Sequence, residues 1–295
     1  MGWSGSEESR QGGLRMTVRF GSCLLGLALS LNIGGQALAQ VAMPYVPPEI
    51  YQERRWIRGS ELTFCLWSVS PTIEIDRRIG QEIGNALLLN VKFYEYTNTV
   101  AHREDDFWEA VLIQLGQHCD AVMGFTLGEQ ISADWLIPSR AYYEAPYVLA
   151  VANPEYDSLG EIPAGLPVGS MMSSAVDQAF MEYLGLLPKE QRWIRFPVPS
   201  YVPVVNYLKD GRIEGALIWA PLIHSQTEGD PEGQGIRLVP IDPIRADPTP
   251  IGMMMREYNV FLRDQLDQAI RSLAEDGIID EILAEAGLPG SAGNQ

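Results

Sequence analysis

Three apolar runs separated by two helical stretches, all within residues 62–125, constrain this chain more than any other feature of its sequence. Leu62-Thr63-Phe64-Cys65-Leu66-Trp67 is almost continuously apolar and β-prone, the pattern of a strand covered on both faces. Ile75, Ile79, Ile83 and Leu87 follow at four-residue spacing, which aligns them on one face of a helix. Val91-Lys92-Phe93-Tyr94-Glu95-Tyr96 reads as a second strand. Asp105 and Asp106 then open a helical run from Phe107 to Leu115, placing carboxylates where a helix N-terminus carries partial positive charge. Asp120-Ala121-Val122-Met123-Gly124-Phe125 supplies a third strand. Strands joined through helices run parallel, so this segment demands an open α/β sheet whose ligands lie at the carboxyl ends of the strands.

The pattern then restarts rather than continues. Tyr142-Tyr143 and the run from Pro146 to Val151 read as extended. After them come a strand at Pro167-Val168-Gly169-Ser170, Ser173-Ser174 ahead of a helix from Val176 to Leu184, and a strand at Trp193-Ile194-Arg195-Phe196. A helix from Tyr201 to Leu208 and a strand from Glu214 to Trp219 close this second unit. The turn-rich segment Glu228 to Gly233 carries three acids, but without the spacing of a calcium loop. Further strands are expected at Ile236 to Val239 and Gly252 to Met255, and a helical stretch from Leu262 to Ala286, stopped by Gly287 and Pro289. Met253, Met254 and Met255 alternate faces in a strand, so they fill a core instead of converging on a metal. A chain of 295 residues is long enough for two such units at roughly 150 residues per domain.

Arg19, an apolar run from Cys23 to Leu31 and Ala37-Leu38-Ala39 have the layout of a secretory signal peptide, with Met16 a candidate start, cleavage expected after Ala39 and a periplasmic product. No stretch reaches about 18 apolar residues, so no membrane span is expected in the mature chain. Residues 40–59, with Pro44, Pro47 and Pro48, are expected to form an extended arm. Export leaves Cys65 and Cys119 in an oxidising compartment, where a disulfide is the first expectation and two separate buried thiols the alternative. The chain holds 21 Lys and Arg against 38 Asp and Glu, a net charge of -17, which argues against a nucleic-acid partner. His102, His118 and His224 lack metal-ligand spacing, and there is no P-loop, dinucleotide fingerprint or nucleophile motif. A binding protein without cofactor or metal is expected rather than an enzyme.

The order and spacing of these pieces over residues 60–288 resemble the type II periplasmic binding proteins, the two-lobed receptors that feed ABC importers. Ile75-Asp76 with Ile83 resembles the family's first helix, and Gly116 with Cys119 to Gly124 its glycine, aspartate and buried strand. Tyr142-Tyr143 through Val151 resembles the first crossover between lobes. Val168-Gly169 before a serine-led helix, Leu208 to Gly215, and Leu266 to Gly287 as a closing helical pair complete the likeness. The resemblance implies two α/β lobes joined by two crossover strands with a cleft between them. Lobe one would comprise residues 60–146 and 240–288, lobe two 147–239, and residues 289–295 a flexible tail. It also implies neighbouring first and third strands, which favours a Cys65–Cys119 bond, and structural roles for Asp76 and Asp120.

Amino-acid receptors of this kind usually hold the ligand carboxylate with an arginine after the third strand and its amino group with an aspartate after the last lobe-two strand. Those places align here with Ile131 and Trp219, so a free amino acid is disfavoured unless Arg140 is recruited. A narrower likeness involves Cys119-Asp120 with Val122-Met123-Gly124, Tyr142-Tyr143, Leu217 to Pro221, and Gly252-Met253 after Pro250. These resemble the J-type periplasmic accessory proteins of quinoprotein (methanol-type) dehydrogenases. That group has Trp-Gly-Pro where this chain has Trp219-Ala220-Pro221, and its Trp-Trp-Pro near Tyr94 to Tyr96 is missing. This resemblance implies maturation or activation of the dehydrogenase by protein binding, with the dehydrogenase or its cytochrome as partner. The alternative is the soluble receptor of an ABC importer, with a small ligand and a permease as partners. By position, Trp67, Phe125 and Thr126 at strand ends, Ser173 and Ser174 at a helix start, and Trp219 are the candidate cleft residues. Trp219 has three readings: stacking on a ligand, plugging the cleft, or packing in the core.

Overall fold

The computed structural model describes residues 60–97, 104–128, 134–199 and 202–293, all within one compact unit, Pro44–Gln295. The expected signal peptide, the arm at 40–59 and Ile131 lie outside the described residues. The first alternation forms as β1 (Glu61–Trp67), α1 (Ile73–Ala86), β2 (Asn90–Tyr96), α2 (Glu104–Gln117) and β3 (Ala121–Thr126). The chain continues through β4 (Leu136–Pro138), β5 (Tyr143–Ala145) and β6 (Tyr147–Val151). Next come β7 (Pro167–Met171), α3 (Ala175–Leu186), β8 (Ile194–Val198), α4 (Val204–Lys209), β9 (Gly215–Trp219) and α5 (Ala220–Gln226). It returns through β10 (Arg237–Val239) and β11 (Thr249–Arg256) and ends with α6 (Val260–Glu275), α7 (Ile278–Glu285) and β12 (Ser291–Ala292).

Two sheets result. The first runs β12-β5-β11-β3-β1-β2 with β4 also on β11, and the second runs β10-β6-β9-β7-β8. Where a helix connects the strands, pairing is parallel: β1 with β2 and β3, and β7 with β8 and β9. Where the chain passes directly from one sheet to the other, it enters antiparallel, as β6 does beside β9 and β11 beside β3. Both sheets are therefore mixed, not wholly parallel. Only Pro146 separates β5 from β6, whereas the return passes through residues 240–248 between β10 and β11.

The near-continuous apolar run of β1 follows from burial on both faces. Leu62, Phe64 and Leu66 pack with Ile75, Ile79 and Ile83 of α1 and with Leu266 and Ile270 of α6. Cys65 faces the other way, toward Val111 and Leu115 of α2. Each fully buried isoleucine on α1 contributes roughly 1.5–3 kcal/mol. Met253 and Met255 fall in the first cluster and Met254 in the second, as strand alternation requires. Since β3 lies beside β1, Cys119 reaches Cys65, and the two form a disulfide with Cα atoms 5.6 Å apart. Asp120 locks the same junction: its backbone N–H donates to Thr63 O and its carboxylate accepts from Thr63 N, both at 2.8 Å. The second sheet is likewise covered on both faces, around Val204, Ile213 and Ile223 on one side and Leu159, Val176 and Phe180 on the other.

The helical stretch from Leu262 to Ala286 is divided into the pair of helices that the resemblance implies, at Gly277, which turns left-handed (φ 76°), a conformation costly for any residue with a Cβ. Two features depart from the sequence expectations. Residues 289–295 are not simply a tail: Ser291 and Ala292 pair with Glu144 and Tyr143, giving partners to the open edge of β5. Helix α5 forms after Trp219, where no element was expected, with Pro221 in its first turn, the position at which a missing N–H costs nothing. Among the described residues no helix is long and apolar enough to cross a membrane.

Candidate functional site

A cavity of ≈780 Å³ lies where the two lobes meet. The parallel pairing of β1, β2 and β3 brings their carboxyl ends together, so Trp67, Tyr96, Phe125 and Thr126 stand on one wall. Phe107 and Trp108 of α2 support them: Phe125 lies 5.9 Å from the Phe107 ring and 6.2 Å from the Trp108 ring, nearly parallel to the latter. The facing wall comes from lobe two, with Ser173, Ser174 and Ala175 where β7 passes into α3, and Trp219 at the end of β9. The two passages between lobes close the back, and Thr249 Oγ1 donates to the Tyr147 hydroxyl at 3.2 Å, tying one passage to the other. All six residues named from strand ends and helix starts line this one cavity. Tyr96, Phe107, Trp108, Tyr147 and Asp247 line it as well. Phe107 and Trp108 read locally as the apolar face of a helix, and Asp247 sits in a linker with no motif, so neither carried a sequence signal.

Several of these side chains are already engaged. Ser174 caps α3, accepting from Asp177 N (3.2 Å) while its hydroxyl donates to Met171 O (2.6 Å). Ser173 holds a positive φ of 60°, and its backbone N–H supports the Asp177 carboxylate. Asp177 is buried, and burial pushes its pKa up. Two hydrogen bonds from Arg195 at 2.7 Å and one from Ser170 at 2.5 Å outweigh that and hold it below the ordinary value. Trp219 is half-buried: it packs against the lobe-one core and donates its indole N–H to Ala145 O at 3.3 Å, and it also lines the cleft.

Behind the lobe-one wall sits Asp76. Its carboxylate accepts from Thr72 Oγ1 and from the Tyr142 hydroxyl, each at 2.6 Å, and that hydroxyl accepts from Gly124 N at 2.9 Å. Burial pushes Asp76 up to about 6, because neutral hydroxyls recover only part of the lost hydration. Burial and the neighbouring Asp76 charge raise Tyr142 in turn. Gly124 belongs here for a steric reason: its φ is 82°, and a Cβ would stand 2.8 Å from Asp76 Oδ2. Arg140 lines a different groove, with Arg271, Glu275 and Asp280, and its guanidinium reaches toward Gly293 O. Asp247 is the one charged side chain among the described residues lining the cleft. Among the described residues no three His, Cys, Asp or Glu side chains gather as a metal-binding group.

No protein-family model matches the chain, and no curated protein matches it by sequence. Solved structures do match it. The second substrate-binding domain of Lactococcus lactis GlnP, in its open conformation, aligns with a TM-score of 0.57 and 17% identity over 78% of this chain and 96% of that one. The amino acid ABC transporter substrate-binding protein AbpA of Streptococcus pneumoniae, bound to L-arginine, aligns with a TM-score of 0.51 and 16% identity over 77% and 94%. The ligand-binding core of GluR0 in complex with L-glutamate aligns at 0.52 and 12% over 77% and 98%. The chain thus has the type II periplasmic binding protein fold, two α/β lobes with a cleft between them. These neighbours are binding proteins or ligand-binding cores by their descriptions, not enzymes.

Proposed function

We propose that this protein is the soluble, exported solute receptor of an ABC importer, for a small ligand that is not a free amino acid. The observation that carries the reading is the ≈780 Å³ cleft walled by both lobes, a volume and an aromatic lining suited to a small organic molecule. The fold's neighbours, which include an amino-acid ABC transporter substrate-binding protein, support the receptor class. Trp219 stands where the aspartate that holds an amino group is expected, and Arg140 lines another groove, which argues against an amino-acid ligand. A second reading is an accessory protein for a quinoprotein dehydrogenase. It rests on the sequence likeness at Trp219-Ala220-Pro221, a motif that here turns the end of β9 into α5 with Ala220 and Pro221 buried. The test is gentle capture of the tagged protein from its native periplasm, followed by native mass spectrometry. A reproducible small adduct supports the receptor, whereas an empty protein holding a stoichiometric dehydrogenase or cytochrome supports the accessory role and sinks the receptor.

A further inference from the structure

We propose that the cleft takes a small organic cation, a quaternary or alkylated ammonium compound, seated against the aromatic walls and countered by Asp247. The inference rests on the receptor reading above and adds the chemical class of the ligand. Aromatic side chains from both lobes converge on the cavity: Trp67, Tyr96, Trp108 and Phe125 on one side, Tyr147 and Trp219 on the other. Ring faces carry the negative part of the aromatic quadrupole, so they attract a cation, and most strongly when water is displaced as two lobes close. Asp247 is exposed at this cavity, and among the described residues no ion pair engages it, leaving its charge available to a ligand. At the helix start where an anion would be received, the protein's own groups already take part of the donor set. At the start of α3 the amides of Ser173, Ser174 and Asp177 are taken by Asp177, Met171 and Ser174 of the protein itself. A net charge of -17 also concentrates cations around the molecule and repels anions.

The experiment is calorimetric titration of the purified protein with three probes of nearly the same shape: choline, its neutral isostere 3,3-dimethylbutan-1-ol, and the anion 3,3-dimethylbutanoate. Choline is expected to bind about tenfold or more tightly than the neutral alcohol, and the anion not at all. Asp247→Asn, at an exposed position, is expected to weaken choline about tenfold while leaving the alcohol unchanged, and Trp67→Ala to weaken choline severalfold. Equal binding of choline and the alcohol, or a preference for the anion, overturns the cation inference and leaves the receptor standing. If none of the three binds, the adduct from native capture decides. A captured cation supports the inference, a captured neutral or anionic molecule overturns it alone, and an empty protein holding a stoichiometric dehydrogenase or cytochrome overturns both readings together.

Discussion

Asp76 and Asp177 are both buried carboxylates, and they respond to pH in opposite ways because their partners differ. Asp76 meets only neutral hydroxyls and rises to about 6, so the native state binds its proton more tightly than the unfolded chain. Its contribution is fully present below about pH 4 and is lost as pH rises through about 6, a loss of about 3 kcal/mol. Denaturant titrations at a series of pH values should show this decline, and Asp76→Asn should remove it; persistence of the slope in the variant would acquit Asp76. Asp177 is lowered, with Arg195 and Ser170 outweighing burial, so its contribution is present above about pH 4 and fades as pH falls further. Arg195→Ala should cost about 2–4 kcal/mol at neutral pH by leaving that carboxylate buried without its cation. A loss below about 0.5 kcal/mol in equilibrium unfolding would mean that water replaces the guanidinium.

At the level of elements, the disulfide joins β1 to the turn before β3 across 54 residues of sequence. It thereby encloses α1, β2 and α2 in one loop, and its removal should destabilise the protein by about 4 kcal/mol through the freed unfolded chain. Unfolding of the paired Cys65→Ala, Cys119→Ala variant checks this, and an unchanged denaturation midpoint would contradict it. The strand and helix pattern of this region was legible because each apolar residue repeats at the period of the element that buries it, as Ile75, Ile79 and Ile83 do. Where the closing helical pair breaks, at Gly277, was not, since a helix face continues on both sides of it and only the docking of α6 and α7 together with α1 requires the turn there. The pairing of Ser291 and Ala292 with β5 was equally hidden, because two residues carry no period and their partner lies far away in sequence.

For the whole molecule, the two passages and Trp219 connect lobes that otherwise have separate cores. Trp219 belongs to the lobe-two strand β9 yet packs against the lobe-one core, so it is one of the contacts that tie the lobes together beside the cleft. Trp219→Ala should lose 1–3 kcal/mol of stability, about what partial burial of an indole supplies. It should also abolish the compaction that a bound ligand produces in small-angle scattering; undiminished compaction in the variant would remove Trp219 from the closing machinery. The sequence by itself determined the alternation of elements, their burial and the strand ends that face a cleft, because these follow from local periodicity and from chain direction. Only the tertiary structure decided that Phe107, Trp108 and Asp247 stand with Trp67 and Trp219, and that the Asp177 carboxylate is held by Arg195, Ser170 and the Ser173 amide at the start of α3. Those meetings depend on how two sheets are set across a pair of crossings, a long-range geometry that no local period encodes.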